Sequence, residues 1–328
     1  MKPSRLSCTA AWPLLASLLA ADVAAAEIAG LGDDGWYRWR VAAVAGAPDW
    51  CCFDWNRGRA QPSECRLDDE RGGFGSYGDN VNTTGRFQVY VRMESGDVEE
   101  IRTLSPSCPV TSRRTIVDLG VVAENDSVAW LRSVDARDLE SEAIASIAVH
   151  AGRDARDAMI ELARRGETER REEAIFWMAQ VRIGETGDEV RRLMFADDDP
   201  DIREHAAFAY AQSDAPDRAD QLVRQGRDDA SGNVRAQAWF WLAQTDTPDS
   251  EAEILRAIAT DEDHDVREEA VFALSQLPDK RAVRALLRVI EDTALDTELR
   301  KEALFWLAQT ESDEALAYFD RLLTGVRP

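Results

Sequence analysis

The sequence predicts a mainly α chain, an α-solenoid of about six helix pairs preceded by a small β-rich, disulfide-bonded domain. Three observations lead there. A block of similar residues recurs every 31 to 33 positions from residue 143 onward. Composition changes near residue 135, from Gly-rich and turn-rich to Ala, Glu, Arg and Leu at helical spacing. Every cysteine after the first eight residues lies in the N-terminal third.

Residues 1–26 read as a secretory signal. They have a basic start (Lys2, Arg5), an apolar stretch through Leu14, Leu15, Leu18 and Leu19, and Ala24-Ala25-Ala26 as a small-residue cleavage site. Cys8 precedes most of that stretch, so it is poorly placed to carry a lipid. The mature chain is expected to begin near Glu27 and to be exported, periplasmic or secreted. No later stretch approaches the ~20 apolar residues of a membrane helix, so no membrane insertion is expected. The full chain has 39 Lys and Arg against 62 Asp and Glu. Losing Lys2, Arg5 and Asp22 leaves 37 against 61, a net charge of −24 that would repel a phosphate backbone and argues against nucleic acid as partner.

The next segment, 27–134, is expected to be the β-rich domain. Gly35 to Val44 and Arg86 to Arg92 alternate like strands, and Val98 to Leu104 can pair with the latter across Ser95-Gly96. Cys51, Cys52, Cys65 and Cys108 make an even count in an exported chain and read as two disulfides. Cys51 and Cys52 are neighbours and are not expected to bond each other, because a vicinal bridge strains the peptide; each should reach Cys65 or Cys108, with the connectivity open.

From 135 to 328 the chain repeats. Ala143, Ala174, Ala206, Ala238, Ala270 and Ala303 anchor blocks such as EEAIFWMAQ, EHAAFAYAQ, AQAWFWLAQ, EEAVFALSQ and KEALFWLAQ. Three residues before the anchor stand Arg171, Arg203, Arg235, Arg267 and Arg300; six after it stand Gln180, Gln212, Gln244, Gln276 and Gln309. From the anchor onward each first helix is apolar on all sides and must be covered on several faces. After a polar turn comes a second helix with one apolar face, as in Val283, Leu286, Leu287 and Ile290. The first unit has Glu140 and Val149 in place of the arginine and glutamine, as suits a capping repeat beside the β-rich domain.

The blocks DIREHAAFAYAQ, NVRAQAWFWLAQ and DVREEAVFALSQ resemble HEAT repeats, particularly the short kind named after phycobilisome lyases, over about residues 137–326. Their period is shorter than the ~40 to 47 residues usual for HEAT units, and neither ankyrin nor tetratricopeptide signatures occur. The resemblance implies that the arginines of the Asp201-Ile202-Arg203 type form a structural ladder with aspartates and loop carbonyls of adjacent repeats, and the glutamines likewise. It also implies that second helices line the concave surface.

Phe176, Phe208, Phe240, Phe272 and Phe305, with Trp177, Trp241 and Trp306, are expected in the buried core. The acidic runs Asp197 to Asp201 and Asp261 to Asp265 read as helix caps; His150, His205 and His264 are scattered, and no metal or cofactor is expected. No G-x-S-x-G, H-E-x-x-H or phosphate-cradling loop occurs, so no catalytic residues are assigned and no enzyme is expected. A second arginine column, Arg192, Arg224, Arg256, Arg288 and Arg321, lies eighteen residues after the anchors, roughly 140° from the centre of the buried face. It reads either as a protein-binding groove stripe for an acidic peptide or as an internal salt-bridge ladder with acids such as Glu189, Asp220 and Glu253. The function expected is an exported protein-protein interaction scaffold; the alternative, implied by the resemblance, is a chromophore lyase or chaperone.

Overall fold

The computed structural model describes residues 28, 31–56, 59–69, 73–134, 139–245, 247–310 and 312–324. The segment read as a secretory signal lies outside these residues. The N-terminal part contains β1 (Gly35–Ala42), β2 (Pro48–Asn56), β3 (Arg59–Pro62), β4 (Cys65–Arg66), β5 (Gly73–Val81), β6 (Arg86–Glu94), β7 (Asp97–Leu104), β8 (Val110–Thr111) and β9 (Ile116–Val121). They form a four-stranded sheet in the order β7-β6-β1-β9, a three-stranded sheet β3-β2-β5 and a short β4-β8 pair. The expected hairpin is present: Glu94 faces Asp97 in register, and Ser95 and Gly96 carry the positive φ of a tight turn, 55° and 90°.

Cys51 is bonded to Cys108 and Cys52 to Cys65, with Cα separations of 5.5 and 5.1 Å. Adjacent residues on a strand point to opposite sides, so the two neighbours staple β2 in two directions. These cysteines pack with Trp36, Leu67, Tyr90 and Leu104 in a small core of their own.

The helices run α1 (Glu124–Ser133), α2 (Glu140–Val149), α3 (Gly152–Arg164), α4 (Thr168–Val181), α5 (Ile183–Ala196), α6 (Pro200–Ala211), α7 (Arg218–Asp228), α8 (Gly232–Gln244), α9 (Ser250–Thr260), α10 (His264–Ser275), α11 (Asp279–Glu291), α12 (Thr297–Ala308) and α13 (Asp313–Thr324). Helical structure therefore begins ten residues ahead of the boundary expected at 134. Helix α1 buries Val128 and Leu131 against its neighbours, two apolar positions too few to announce a helix by periodicity.

Even-numbered helices from α2 to α12 are the first helices of the units and odd-numbered ones from α3 to α13 the second. The anchor alanines are buried, 0 to 6 % exposed, and let successive first helices meet backbone to backbone. Successive second helices touch at few points. Spacing is thus tighter on the first-helix side, which is the inner side of the stack. This corrects the expectation that second helices line the concave surface; the small residues that set the spacing belong to the first helices.

Candidate functional site

The inter-repeat turns set the geometry of everything between them. Asp199 and Asp263 cap α6 and α10 by accepting from the backbone N–H of Asp201 and Asp265. The aspartate two positions earlier takes an arginine. Arg203 donates twice to Asp229 (2.9 and 2.8 Å) and once to the Asp197 carbonyl; Arg235 does the same with Asp261 (3.0 and 2.8 Å) and the Asp229 carbonyl. Burial opposes ionisation of Asp229 and Asp261, but the arginine hydrogen bonds outweigh it and hold both carboxyls below the usual range. Arg171 reaches Asp197 and the Ala163 carbonyl, and Arg267 reaches Asp296 at 3.3 Å and the Ile258 carbonyl. Arg300 donates to the Ile290 carbonyl. This column ties each turn to the next.

The glutamine column does not make a comparable ladder. Gln212, Gln244 and Gln309 are exposed, the Gln276 side chain donates to neighbouring Ser275, and the buried Nε2 of Gln180 has no partner among the described residues. Gln212, Gln276 and Gln309 sit at helix C-caps, where their backbone N–H closes the last turn.

The arginine column on the second helices is exposed and mostly engaged. Arg192 donates to Glu189, Arg256 to Glu253 and Arg288 to Glu251, and the Arg224 guanidinium lies 4.3 Å from the Phe195 ring centre. Glu189 and Glu253 each also take an arginine from the preceding unit, Arg164 and Arg227. Burial opposes ionisation of Glu189, yet its two arginines keep its pKa below the usual range. Arg321 is exposed on the terminal helix. The column therefore lies on the outer layer, with carboxylates already in the geometry that an acidic guest would occupy.

The aromatic column is where the sequence expectation fails most. Phe176, Phe208, Phe240, Phe272, Trp177, Trp241 and Trp306 are only half-buried, and Phe305 is 52 % exposed. They are not core. Consecutive rings contact one another in an unbroken series: Trp50–Trp177 at 5.1 Å, Trp177–Phe176 at 5.1 Å, Phe176–Phe208 at 6.2 Å, Phe208–Trp241 at 4.8 Å, Trp241–Phe240 at 4.8 Å, Phe240–Phe272 at 5.8 Å, Phe272–Trp306 at 4.7 Å and Trp306–Phe305 at 5.0 Å. Carboxylates hold two of the indoles in place: Trp177 donates to Glu173 at 2.5 Å and Trp306 to Glu302 at 2.6 Å. The physical cause is the shift of apolar pattern within each first helix. Positions one and four after the anchor face the second helices and the neighbouring units, while position two, and position three where it is tryptophan, emerge on the inner face.

Carboxylates flank this ridge one or two positions before four of the anchors, Glu172, Glu173, Glu204, Glu268, Glu269 and Glu302, with His205 and Lys301 among them; the Ala238 unit has Ala236 and Gln237 instead. Between α4, α6 and α8 they border a cleft of about 540 Å³ lined by Glu172, Asp201, Glu204, His205, Phe208, Gln237 and Trp241. Burial and the neighbouring carboxylates raise the pKa of both Glu172 and Glu204, and burial lowers that of His205, whose Nε2 has no partner among the described residues. Elsewhere His264, Asp265 and Glu268 bring ligand atoms within 4.8 Å of one another at the surface, where His264 lies 3.7 Å from Asp296.

Sequence reasoning also missed the junction between the two parts. Ala43 bridges to His150, Thr103 Oγ1 donates to Ser146, and buried Arg182 donates to the carbonyls of Ala148, His150 and Gly152. No other unit has an arginine at the same offset from its anchor, although Arg281 reaches the Thr247 and Pro248 carbonyls of its preceding turn in a similar way.

The family described as HEAT repeats matches residues 221–303. No curated protein matches the chain. Among solved structures, human deoxyhypusine hydroxylase in complex with glycerol is similar at 16% identity, over 60% of this chain and 77% of that one, with a TM-score of 0.26. A computationally designed self-assembling cyclic homo-oligomer is similar at 16% identity over 62% and 71%, with a TM-score of 0.14. At these scores neither the fold nor the activity of those proteins transfers to this chain. Residues 221–303 are therefore similar to HEAT repeats, and the helix pairs on either side of them keep the same period.

Proposed function

We propose that the chain is an exported, non-catalytic interaction scaffold that holds a protein partner on its inner, first-helix face. The observation that carries this reading is the aromatic ridge. Rings that would normally be packed away stand half-open along five successive repeats, and contiguous aromatic surface of that kind is what protein interfaces are built from. HEAT repeats commonly mediate protein interactions, which supports the same assignment. Export is supported by the leader composition and by the two disulfides.

The test is site-specific photo-crosslinking in the cells that make the protein. A crosslinker at Phe240, on the ridge, is expected to trap a discrete partner, and one at Arg288, on the outer layer, is not. Adducts only from Arg288, or from neither position, would remove the proposal; fractionation that leaves the protein in the cytoplasm would remove the exported part of it.

A further inference from the structure

We infer that the partner presents a basic, extended polypeptide segment to the inner face, with an arginine or lysine of that segment entering the cleft where Glu172 and Glu204 face Phe208 and Trp241. This rests on the scaffold reading and specifies the chemistry of its partner.

The cleft carries three carboxylates and no lysine or arginine in its lining. That is unusual in this molecule. The buried acids of the turns and of the outer layer, Asp229, Asp261, Glu189 and Glu253, each hold an arginine. Glu172 and Glu204 form no ion pair among the described residues, although burial and like-charge neighbours both disfavour their ionised forms. A cationic guest supplies the missing countercharge. The walls suit such a guest: the Phe208 and Trp241 rings meet at 45° and offer faces on which a guanidinium stacks while its planar fork reaches a carboxylate. The chain's net charge of −23 adds long-range attraction for a basic segment.

Repeat spacing sets the register. Packed helices lie ~8 to 10 Å apart and an extended chain advances ~3.3 Å per residue, so the guest passes one repeat about every three residues. Basic residues at that spacing meet Glu172, Glu204, Glu268 and Glu302 and skip the Ala238 unit, which has none, and apolar residues between them match the ridge.

The experiment uses the full mature chain and two labelled synthetic peptides, one of repeated Arg-Ser-Gly triplets and one of repeated Glu-Ser-Gly triplets, followed by fluorescence anisotropy at near-physiological salt. The arginine peptide is expected to bind and the glutamate peptide not to. Glu172→Gln with Glu204→Gln is expected to weaken binding ~10-fold or more, on the scale of losing a desolvated cation–π and carboxylate contact, and Trp241→Ala comparably. Asp198→Asn with Glu262→Gln removes the same charge from exposed positions and is expected to change affinity by less than about twofold. Equal weakening by the two charge-matched doubles would show bulk attraction only and overturn the cleft assignment, as would equal binding of the two peptides. An inner-face adduct with a partner that lacks any basic segment would overturn this inference and leave the scaffold standing; arginine-peptide binding without any inner-face adduct in cells would instead remove the scaffold on which it rests.

Discussion

The Trp50 ring lies 5.1 Å from the Trp177 ring, so the disulfide-stapled strand β2 is the first rung of the ridge that runs along the solenoid. Trp50 is 2 % exposed and also meets Phe87 at 5.7 Å, inside the sheet domain.

Trp50→Ala is expected to destabilise the protein by ~3 to 5 kcal/mol, the usual cost of emptying a buried aromatic site. The loss should fall on the junction, so urea unfolding followed by far-ultraviolet circular dichroism is expected to split into two transitions. A single transition with an unchanged midpoint would show that the contact does not couple the two parts. Removing Cys51–Cys108, which closes the longer loop (57 residues apart against 13), is expected to cost about 1 kcal/mol more than removing Cys52–Cys65.

The two arginine columns should behave differently. Arg235 is 9 % exposed in its side chain and bidentate to Asp261, so Arg235→Ala leaves a buried carboxylate without its cation and removes the donor to the Asp229 carbonyl, at a cost of ~3 to 5 kcal/mol. Arg235→Lys should recover only part of it, because an ammonium cannot span both oxygens. Arg288 is 66 % exposed, and Arg288→Ala is expected to lie within ~0.5 kcal/mol of the parent. Denaturant midpoints of the three variants decide this; a large loss at Arg288 would restore the outer column as a stabilising ladder.

His150 makes the junction sensitive to acid. Its Nε2 meets Ser127 Oγ at 2.8 Å, which in turn accepts from the Trp39 indole, and its Nδ1 meets the Ser146 carbonyl; burial, reinforced by the Arg182 guanidinium, lowers its pKa to about 4. The unfolded value near 6.5 is higher, so the folded state favours the neutral ring. That stabilisation is complete above pH 6.5 and is lost as pH falls toward 4, by roughly 3 kcal/mol in all. His150→Gln is expected to flatten the fall in unfolding free energy between pH 7 and 4.5. Parallel curves for parent and variant would mean that another group titrates there.

What was legible in the sequence was whatever repeats with a fixed offset. The anchor alanines and the recurrence of Arg203 and Arg235 follow from periodicity, because each unit needs the same contacts to its neighbour; that these arginines bond aspartates and carbonyls of adjacent turns is what the resemblance to HEAT repeats implies. Exposure of Phe208 and Trp241 was not legible: a helix apolar all round looks the same whether its last face meets another helix or is left open. Which layer is inner depends on interhelical spacing, a property of neighbouring units rather than of one. Strands β2 and β5 carry too many polar and glycine residues to alternate visibly, and the pairing of Cys51 with Cys108 is fixed only by that strand's place in the sheet.

Gly226 and Trp239 form a pair found at one interface only. Position twenty after the anchor is Ala163, Met194, Ile258, Ile290 and Leu323 in the other units, but Gly226 here, and a Cβ on it would lie 2.5 Å from the Trp239 ring. Gly226→Ala is expected to destabilise by ~1 to 3 kcal/mol through overpacking, and Trp239→Leu alone by a similar amount through the void it leaves. Together the two changes should cost less than their sum. Additive losses in a double-mutant cycle would show that the ring can move aside independently.

Glu172 and Glu204 should oppose stability and binding to one another. Both carboxyls have folded pKa values raised above their unfolded ones, so the folded state prefers them protonated, and at pH 7 their ionised forms work against folding. Glu172→Gln with Glu204→Gln is therefore expected to melt higher than the parent at pH 7. The sign also fixes the pH dependence: as pH falls through the raised values the parent takes up protons, the repulsion disappears, and the two melting temperatures should converge. Scanning calorimetry at pH 7 and pH 4 measures both. A variant that melts lower at pH 7 would mean that the carboxylates accept structural hydrogen bonds, and the cleft would then be a piece of scaffold. A variant that melts higher yet loses the arginine peptide would show that the pair opposes folding and serves the guest, since no stability argument would account for keeping both acids.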